Sequence, residues 1–340
     1  MTLYVDVALD SIITYAITVG ASDIHFDPIL NGIQVRLRID GLLTEYMLVD
    51  ATDADMLVNR IKVFSGMDIS EKRLPQDGRW EWSVKSYAVT MRVSSLPSLY
   101  GEAIVCRLMG NEGVHKNLLE LGMDVELQEK IAALLKRPYG LITICGPTGS
   151  GKTATLYAML RMLNLKETKL ICLEDPVEAT IEGAIQIGIN EKIGFTFSKG
   201  LRTVLRQDPD SIMIGEIRDN ETAQLAVKAA LTGHRVITTV HTNTALGVIG
   251  RLVDMGVEPY LLHATLIGSL SQRLVRRIDS TTHSYQGRLG LFEYLEIPFS
   301  DIDWDHVEQY MFTSLQDSAH LAINSGITTL EEVHRAGILL

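Results

Sequence analysis

The chain has 340 residues, of which 46% are hydrophobic and 21% charged, and its formal net charge is −11. This length favours two domains, and the apolar content is ample for a core in each. Wrapping nucleic acid requires clustered lysines and arginines, so a chain this acidic is expected to have no nucleic-acid partner.

The cysteines and the N-terminus indicate the compartment. Cys106, Cys145 and Cys172 each lie among apolar residues, and no pair is spaced like a metal site, so we expect them to be buried and reduced. The N-terminus lacks the basic and apolar regions of a signal peptide, and no stretch approaches the ~20 apolar residues of a spanning helix. We expect a cytoplasmic protein that meets the membrane only through partners.

Residues 1–109 are predicted to form a small α+β domain. Apolar residues recur at helical spacing over 5–19, and a helix is also expected over 51–67. The alternating segment 33–39 precedes Asp40-Gly41, a dipeptide typical of hairpin turns. Strands are predicted over 80–93 and 103–108, which indicates a largely antiparallel sheet.

A second domain is predicted over 118–340, after a glycine-containing linker at 110–117. Helices are expected between 118 and 136. Short apolar runs then follow that are typical of strands buried on both faces, at 141–145, 170–173, 212–214 and 236–240. This pattern predicts an α/β domain with a mainly parallel sheet, followed from about residue 271 by a helical and mixed appendage.

The second domain contains a phosphate-binding loop. Residues 146–153 match G-x-x-x-x-G-K-[ST] at every fixed position, between a predicted strand and a helix over about 151–163. The predicted nucleotide contacts are Gly146, Pro147, Thr148, Gly149, Ser150, Gly151, Lys152, Thr153 and Thr155. Backbone N–H groups would surround the phosphates, Lys152 would neutralise them, and the Thr153 hydroxyl would bind Mg²⁺.

Hydrolysis also needs a group that orients water and further ligands for the metal. Glu216 ends one buried strand and is our candidate general base or water-positioning group. Glu174 and Asp175 end another, and could hold Mg²⁺ or its waters, although a solvated acidic turn is the alternative. His241 follows a third strand and could sense the γ-phosphate, although a structural role is as common for such a histidine.

Four of these segments, taken in order, resemble the secretion ATPases of type II secretion, type IV pili and competence pseudopili. They correspond to that family's Walker A, Asp box, Walker B and His box, and read Gly-Pro-Thr-Gly-Ser-Gly-Lys-Thr (146–153), Leu-Glu-Asp-Pro-Val-Glu (173–178), Leu-Arg-Gln-Asp-Pro-Asp-Ser-Ile-Met-Ile-Gly-Glu-Ile-Arg-Asp (205–219) and Thr-Thr-Val-His-Thr-Asn (238–243). The likeness covers about residues 10–335. It implies a RecA-like domain preceded by a PAS-like α+β domain, and it strengthens a functional role for His241.

The resemblance also implies a homo-hexamer in which each ATP lies between two subunits and arginines reach the phosphates. Arg92 and Arg107 match the pair in the family's first domain. Arg202 and Arg206 match a second pair, and their i, i+4 spacing predicts a shared helix face. Asp23 and His25, in Ala-Ser-Asp-Ile-His, match a family signature to which we assign no chemical role.

Two departures from the family pattern affect the prediction. Many members carry four zinc-binding cysteines after Gln-Arg-Leu, but residues 274–283 contain none, so we expect no zinc. The chain also starts at the second of the family's usual N-terminal domains. Docking is therefore expected to use another surface, unless the sequence is trimmed.

The family implies an ATP-driven motor, with Mg²⁺ as cofactor, for assembling pilins or pseudopilins. It would act through a polytopic inner-membrane platform protein and associate peripherally with the cytoplasmic membrane. A pilus retraction motor is the alternative, but the Ala-Ile-Arg-Asn-Leu-Ile-type motif of that subfamily is absent. A nucleic-acid translocase is disfavoured by the charge.

Overall fold

The computed structural model describes residues 2–84, 87–109, 113–298 and 302–340. The chain divides into two compact units, Met1–Glu112 and Gly113–Leu340. The predicted linker spans this division, but residues 110–112 lie outside the described ranges. Within those ranges, no helix is both long and apolar enough to cross a membrane.

The first unit is a six-stranded antiparallel sheet with two helices. Its elements are α1 (Thr2–Thr18), β1 (Ala21–Ile29), β2 (Gly32–Ile39), β3 (Leu42–Asp50), α2 (Ala51–Phe64), β4 (Gln76–Val84), β5 (Tyr87–Ser98) and β6 (Gly101–Met109). The strand order is β3-β2-β1-β6-β5-β4. The strand predicted over 80–93 is divided between β4 and β5, which pair as antiparallel neighbours.

Alternation along the strands gives this sheet two different faces. Ile24, Phe26 and Val35 are buried in one core with residues of α1 and α2. The intervening residues carry most of the sheet's charges on the opposite face. Asp40 and Gly41 both have positive φ (49° and 85°), as a tight turn between β2 and β3 requires.

The second unit is built on an eight-stranded sheet. Its elements are α3 (Val125–Leu135), β7 (Gly140–Cys145), α4 (Lys152–Leu160), β8 (Leu170–Glu174), β9 (Ile185–Gly188), α5 (Phe197–Val204), β10 (Ser211–Ile214), α6 (Asn220–Leu231), β11 (Arg235–Val240), α7 (Gly247–Asp254), α8 (Pro259–Thr265), β12 (Leu266–Ile278), β13 (Tyr285–Glu296), β14 (Met311–Thr313), α9 (Leu315–Asn324) and α10 (Leu330–Arg335).

The strand order is β14-β13-β12-β7-β11-β10-β8-β9. The six strands from β12 to β9 are parallel, whereas β13 and β14 are antiparallel to their neighbours. The four apolar runs predicted as strands are β7, β8, β10 and β11. Successive residues of these strands enter separate cores, one with α3 and α4 and the other with α5 to α8.

The appendage predicted from residue 271 is only partly correct. Residue 271 lies inside β12, which pairs with the P-loop strand β7, and β13 extends the same sheet. Polar and basic residues in Ser271-Gln272-Arg273 hid this strand from a search for apolar runs. Among the described residues of this region, Trp304–Tyr310 form a 3₁₀ helix, and α9 and α10 pack against this end of the sheet.

Glu332 anchors α10 to β12. Its carboxylate is 1% exposed and accepts hydrogen bonds from Arg276 and Arg335. Burial alone would raise the pKa of Glu332, but these two arginines outweigh it and lower the pKa to about 2. A depressed folded-state pKa stabilises the fold above the ordinary glutamate range. That stability is lost as pH falls from about 4.5 towards 2.

We expect Glu332→Gln to destabilise the second unit by about 2 kcal/mol, because the buried carboxylate loses its charge-assisted hydrogen bonds from the partly exposed Arg276 and Arg335. Urea unfolding at pH 7 and pH 3 measures this, with the exposed neighbour Glu331→Gln as the control. The loss in free energy of unfolding caused by Glu332→Gln should be smaller at pH 3 than at pH 7. An equal deficit at both pH values would contradict the electrostatic explanation.

Candidate nucleotide site

Residues 146–151 form a tight loop between β7 and α4, and the last two residues of the motif, Lys152 and Thr153, begin α4. Gly146, Gly149 and Gly151 have φ of 144°, 77° and 89°, values that L side chains rarely adopt. A Cβ at Gly146 would lie 2.6 Å from the Ser150 hydroxyl, and a Cβ at Gly151 would lie 2.8 Å from the Gln272 amide nitrogen. Gly146 and Gly151 are therefore required by both conformation and space, and Gly149 by conformation alone, since a Cβ there would meet nothing within 4 Å.

Lys152 begins α4 and is folded back onto its own loop. Its ammonium donates hydrogen bonds to the carbonyls of Gly146 (2.8 Å) and Pro147 (3.0 Å). Burial lowers the pKa of Lys152, since water is excluded from the charged group. The buried Ser150 hydroxyl has no hydrogen-bond partner among the described residues. A cation and an unused hydroxyl in one glycine loop suit an incoming anion.

Strand β12 supports the back of this loop. Gln272 is fully buried, and its carbonyl oxygen accepts a 2.6 Å hydrogen bond from the Thr155 hydroxyl. The Gln272 carboxamide therefore joins α4 to the strand beside β7. The predicted nucleotide contact of Thr155 stays a prediction, and its hydroxyl would have to leave Gln272 to make one. Gln272 was missed by sequence reasoning because β12 itself was missed.

Glu174, at the end of β8, is 3% exposed and has both oxygens engaged. Tyr157 of α4 donates to one, and the Gln186 amide donates to the other at 3.0 Å. Burial raises the pKa of Glu174, and the two hydrogen bonds offset only part of that rise. Tyr157 and Gln186 were not predicted from the sequence, and together they tie the P-loop helix to the segment carrying Asp175.

Glu216 follows β10 and is held from two sides. Arg218 donates to one carboxylate oxygen, and Nε2 of His241 lies 3.4 Å from the other. Burial would raise the pKa of Glu216, but Arg218 and then His241 outweigh it and lower the pKa. Arg218 also lies 3.9 Å from Asp175, so it bridges the ends of β8 and β10.

The parallel sheet explains why these side chains meet. Strands β8, β10, β11 and β7 are neighbours, so their carboxyl ends lie at one edge of the sheet. The Thr239 hydroxyl donates to the Gly215 carbonyl at 2.7 Å, and the Ile217 N–H donates to the Thr239 carbonyl at 3.1 Å. Backbone bonds on either side of Glu216 therefore fasten it to β11, the strand that leads into His241.

The second arginine pair is arranged differently from the expectation of a shared helix face. Arg202 lies in α5 and pairs with Glu221. Arg206 lies two residues beyond the end of α5, and its guanidinium donates to the Arg202 carbonyl at 2.7 Å. Asp208, which precedes Pro209 and has a φ of 50°, prevents α5 from continuing through this segment.

Arg92 and Arg107 lie in the first unit, directly opposite each other on β5 and β6. Arg107 is 62% exposed, and its Nε donates to Asp23 at 2.8 Å. Arg92 is also exposed.

The residues at the sheet edge suit magnesium chemically. The Thr153 hydroxyl and the Asp175 carboxylate supply the hard oxygen donors that Mg²⁺ uses beside phosphate. No group of three or more His, Cys, Asp or Glu side chains in the described ranges is arranged to hold a metal ion by itself. All three cysteines are free and buried, and the expectation of no zinc stays a prediction.

The fold and the site together define the class of this chain: a RecA-like P-loop domain preceded by a smaller α+β domain. The chain belongs to the type II/IV secretion system protein family, whose model matches residues 4–335. The resemblance drawn from the four motifs is therefore confirmed.

Two curated relatives illustrate the relationship. Type II secretion system protein E of Klebsiella pneumoniae is 49% identical over 270 residues, which are 79% of this chain and 54% of that protein. Type II secretion system ATPase E of Vibrio cholerae is 40% identical over an alignment of 372 positions, which covers 96% of this chain and 74% of that protein. The chain thus spans about half the length of the Klebsiella protein.

Two solved structures share the fold. The Legionella pneumophila ATPase DotB has a TM-score of 0.76 at 23% identity, covering 98% of this chain and 96% of that chain. The pilus retraction motor PilT, solved with bound ADP, has a TM-score of 0.68 at 29% identity, covering 96% of this chain and 95% of that chain.

Proposed function

We propose that this protein is the ATP-hydrolysing motor subunit of a secretion machine. The observation that carries the proposal is the cluster at the sheet edge, where Glu216 is held by Arg218 and His241. Strand order brings this cluster to the same edge as the P-loop. The ADP bound to PilT and the name ATPase E of the Vibrio relative support ATP as the substrate.

In this proposal the loop 146–153 surrounds the triphosphate with its N–H groups. Lys152 exchanges its loop carbonyls for the β- and γ-phosphates, because a charged partner binds an ammonium more strongly than a carbonyl does. Thr153 and Asp175, with Glu174 partly through water, would hold Mg²⁺. An ion held there would supply positive charge beside the phosphates.

Glu216 orients a water molecule and accepts its proton as the water oxygen bonds to the γ-phosphorus. The bond from that phosphorus to the bridging oxygen breaks, releasing ADP and phosphate. His241 keeps one Glu216 oxygen in place near the γ-phosphate. Arg218 keeps the carboxylate ionised, so it is ready to accept a proton at neutral pH.

A specific observation favours Glu174 as a second candidate for the base. Its pKa is raised by burial, whereas that of Glu216 is lowered. A base whose pKa lies nearer the working pH transfers protons more effectively. Against Glu174, it is only 3% exposed, which leaves little access for a reacting water, whereas the Glu216 side chain is 19% exposed.

The arginines support a homo-hexamer with ATP between two subunits. Arg92 and Arg107 are exposed on the first unit, where we assign them to the nucleotide of a neighbouring copy. Arg202 and Arg206 are assigned to phosphates at the same boundary. A planar guanidinium suits the charge that develops on the γ-phosphate.

The work of the motor is assigned to assembling pseudopilins or pilins through a polytopic inner-membrane platform protein, with the ring attached peripherally to the cytoplasmic side. The 49% identity to a type II secretion protein supports secretion over retraction, since the retraction motor PilT is 29% identical. The net charge of −11 counts against nucleic acid as cargo.

Steady-state ATPase activity across protein concentration tests this proposal. We expect activity per subunit to rise with concentration, because a shared site forms only on assembly, and to be unaffected by added DNA. Analytical ultracentrifugation at each concentration identifies the assembled species. Activity carried by the monomer, or stimulated by DNA, would contradict the shared site or the secretion role respectively.

A further inference from the structure

The segment Ser22–His25 had no assigned role, and the structure connects it to Arg107. Asp23 lies in β1 and is 4% exposed. One of its oxygens accepts a 2.8 Å hydrogen bond from Nε of Arg107. The other accepts a 2.8 Å bond from the Ser22 hydroxyl and lies 3.8 Å from Nε of Arg38.

Asp23 belongs to a row of charged residues that crosses five strands at one register. The pairs are Arg38 with Asp23, Asp23 with Arg107, Arg107 with Arg92, and Arg92 with Arg79. Residues directly opposite each other in a sheet point to the same face, and like charges there are destabilising. Four arginines and one aspartate therefore make a strongly positive line on a chain whose net charge is −11.

The buried carboxylate of Asp23 holds the exposed guanidinium of Arg107 at its inner end. It is nearly buried whereas Arg107 is 62% exposed, so the contact holds the guanidinium from the sheet side. The contact is made through Nε, and the two terminal nitrogens form the outer end of the guanidinium fork. Burial would raise the pKa of Asp23, but the bonds from Arg107 and Ser22 outweigh it, so the carboxylate stays charged at neutral pH.

We propose that Asp23 is a positioning residue that orients Arg107 so that its two terminal nitrogens face the phosphates of ATP bound to a second copy of this chain. The inference rests on the proposed function, in which Arg107 completes a shared site. A guanidinium fixed in advance loses little side-chain entropy when it meets the phosphate. Small misplacements of such a group are costly in rate.

The first test is Asp23→Asn, which keeps the shape of the side chain and removes its charge. Its matched control is Asp27→Asn, because Asp27 lies on the same strand and face and makes a similar 2.8 Å pair with Arg36. We expect Asp23→Asn to lower kcat of the assembled enzyme by about tenfold, since a neutral amide oxygen holds Arg107 less firmly than a carboxylate does. Asp27→Asn should change kcat by less than about twofold, because exposed ion pairs contribute little.

The second test separates orientation of Arg107 from stability of the sheet. Arg107→Lys keeps the charge but has no planar fork to orient, so we expect it to lose most of the activity. Adding Asp23→Asn to Arg107→Lys should then lower kcat no further, because the effects of two residues that act through one group are not additive. The thermal unfolding midpoint of each of the four variants is measured beside its kcat, so that a loss of stability is recognised.

Three results would overturn the proposal. The double variant could have a kcat a further tenfold below that of Arg107→Lys, Asp27→Asn could lower kcat as much as Asp23→Asn does, or Asp23→Asn could keep full activity. Each of these leaves the shared site intact as long as Arg107→Lys is impaired. If Arg107→Lys is as active as the unmodified protein, the proposed shared site fails as well. The kinetics thus distinguish the two failures.

Discussion

Glu216→Gln is expected to lower the rate of ATP hydrolysis by about a thousandfold, within the range attributed to a positioned general base. The amide can still hold a water molecule, but it cannot accept the proton that water loses. ATP binding should persist, because the P-loop contacts come from the separate segment 146–153. Single-turnover hydrolysis and binding of a fluorescent ATP analogue measure the two effects.

The surroundings of Glu216 sharpen this expectation. Arg218 and His241 hold its two oxygens, and the lowered pKa keeps it ionised across the neutral range. Glutamine preserves the shape, and its amide can direct its oxygen to Arg218 and its NH2 to His241, so the loss is that of the basic carboxylate. A thermal unfolding midpoint within a few degrees of the unmodified protein would show that the loss is chemical.

Glu174→Gln is the matched comparison, because Glu174 ends the neighbouring strand and is the second candidate for the base. We expect a smaller kinetic loss together with lower stability, since Glu174 joins Tyr157 to Gln186 in a buried network. If Glu216→Gln retains turnover while Glu174→Gln loses it, the base is Glu174 and the assignment of Glu216 is wrong.

The second large effect is expected from Arg107→Gln, which removes the charge that the proposal places on a neighbour's γ-phosphate. Arginines supplied in this way contribute roughly 10³-fold or more to phosphoryl transfer. The variant should still bind ATP through its own P-loop, and it should still assemble at high concentration. Turnover close to that of the unmodified protein in an assembled ring would contradict the assignment.

The α/β architecture was predictable because its signals are local. Strands β7, β8, β10 and β11 are short apolar runs, and the loop at Gly146 carries a motif that requires a strand before it and a helix after it. The position of Glu216 at a strand end followed from the same pattern. A parallel sheet brings such ends together at one edge.

The parts that sequence reasoning missed depend on contacts between distant segments. Strand β12 carries polar residues because Gln272 supports the P-loop, and this polarity hid the strand. Arg218 lies two residues after Glu216 and was visible in the sequence, but only the fold shows its guanidinium between Glu216 and Asp175.

Two sets of arginine contacts also could not be predicted from spacing along the chain. The spacing of Arg202 and Arg206 predicted a shared helix face, but the helix ends at Val204. Conversely, nothing local links Asp23 to Arg107, which lie 84 residues apart in the chain. Register across the sheet, rather than spacing along the chain, brings them together.

Mixing two inactive variants tests whether one ATP site is built from two copies of the chain. Lys152→Ala cannot hold ATP in its own loop but supplies an intact Arg107, whereas Arg107→Gln has an intact loop and lacks the arginine. With random assembly of equal amounts, about a quarter of the boundaries in a closed ring pair an intact loop with an intact arginine. We predict that mixing restores activity towards that fraction, and that the recovery requires co-assembly. A mixture whose activity equals the average of the two variants at every ratio would contradict the shared site.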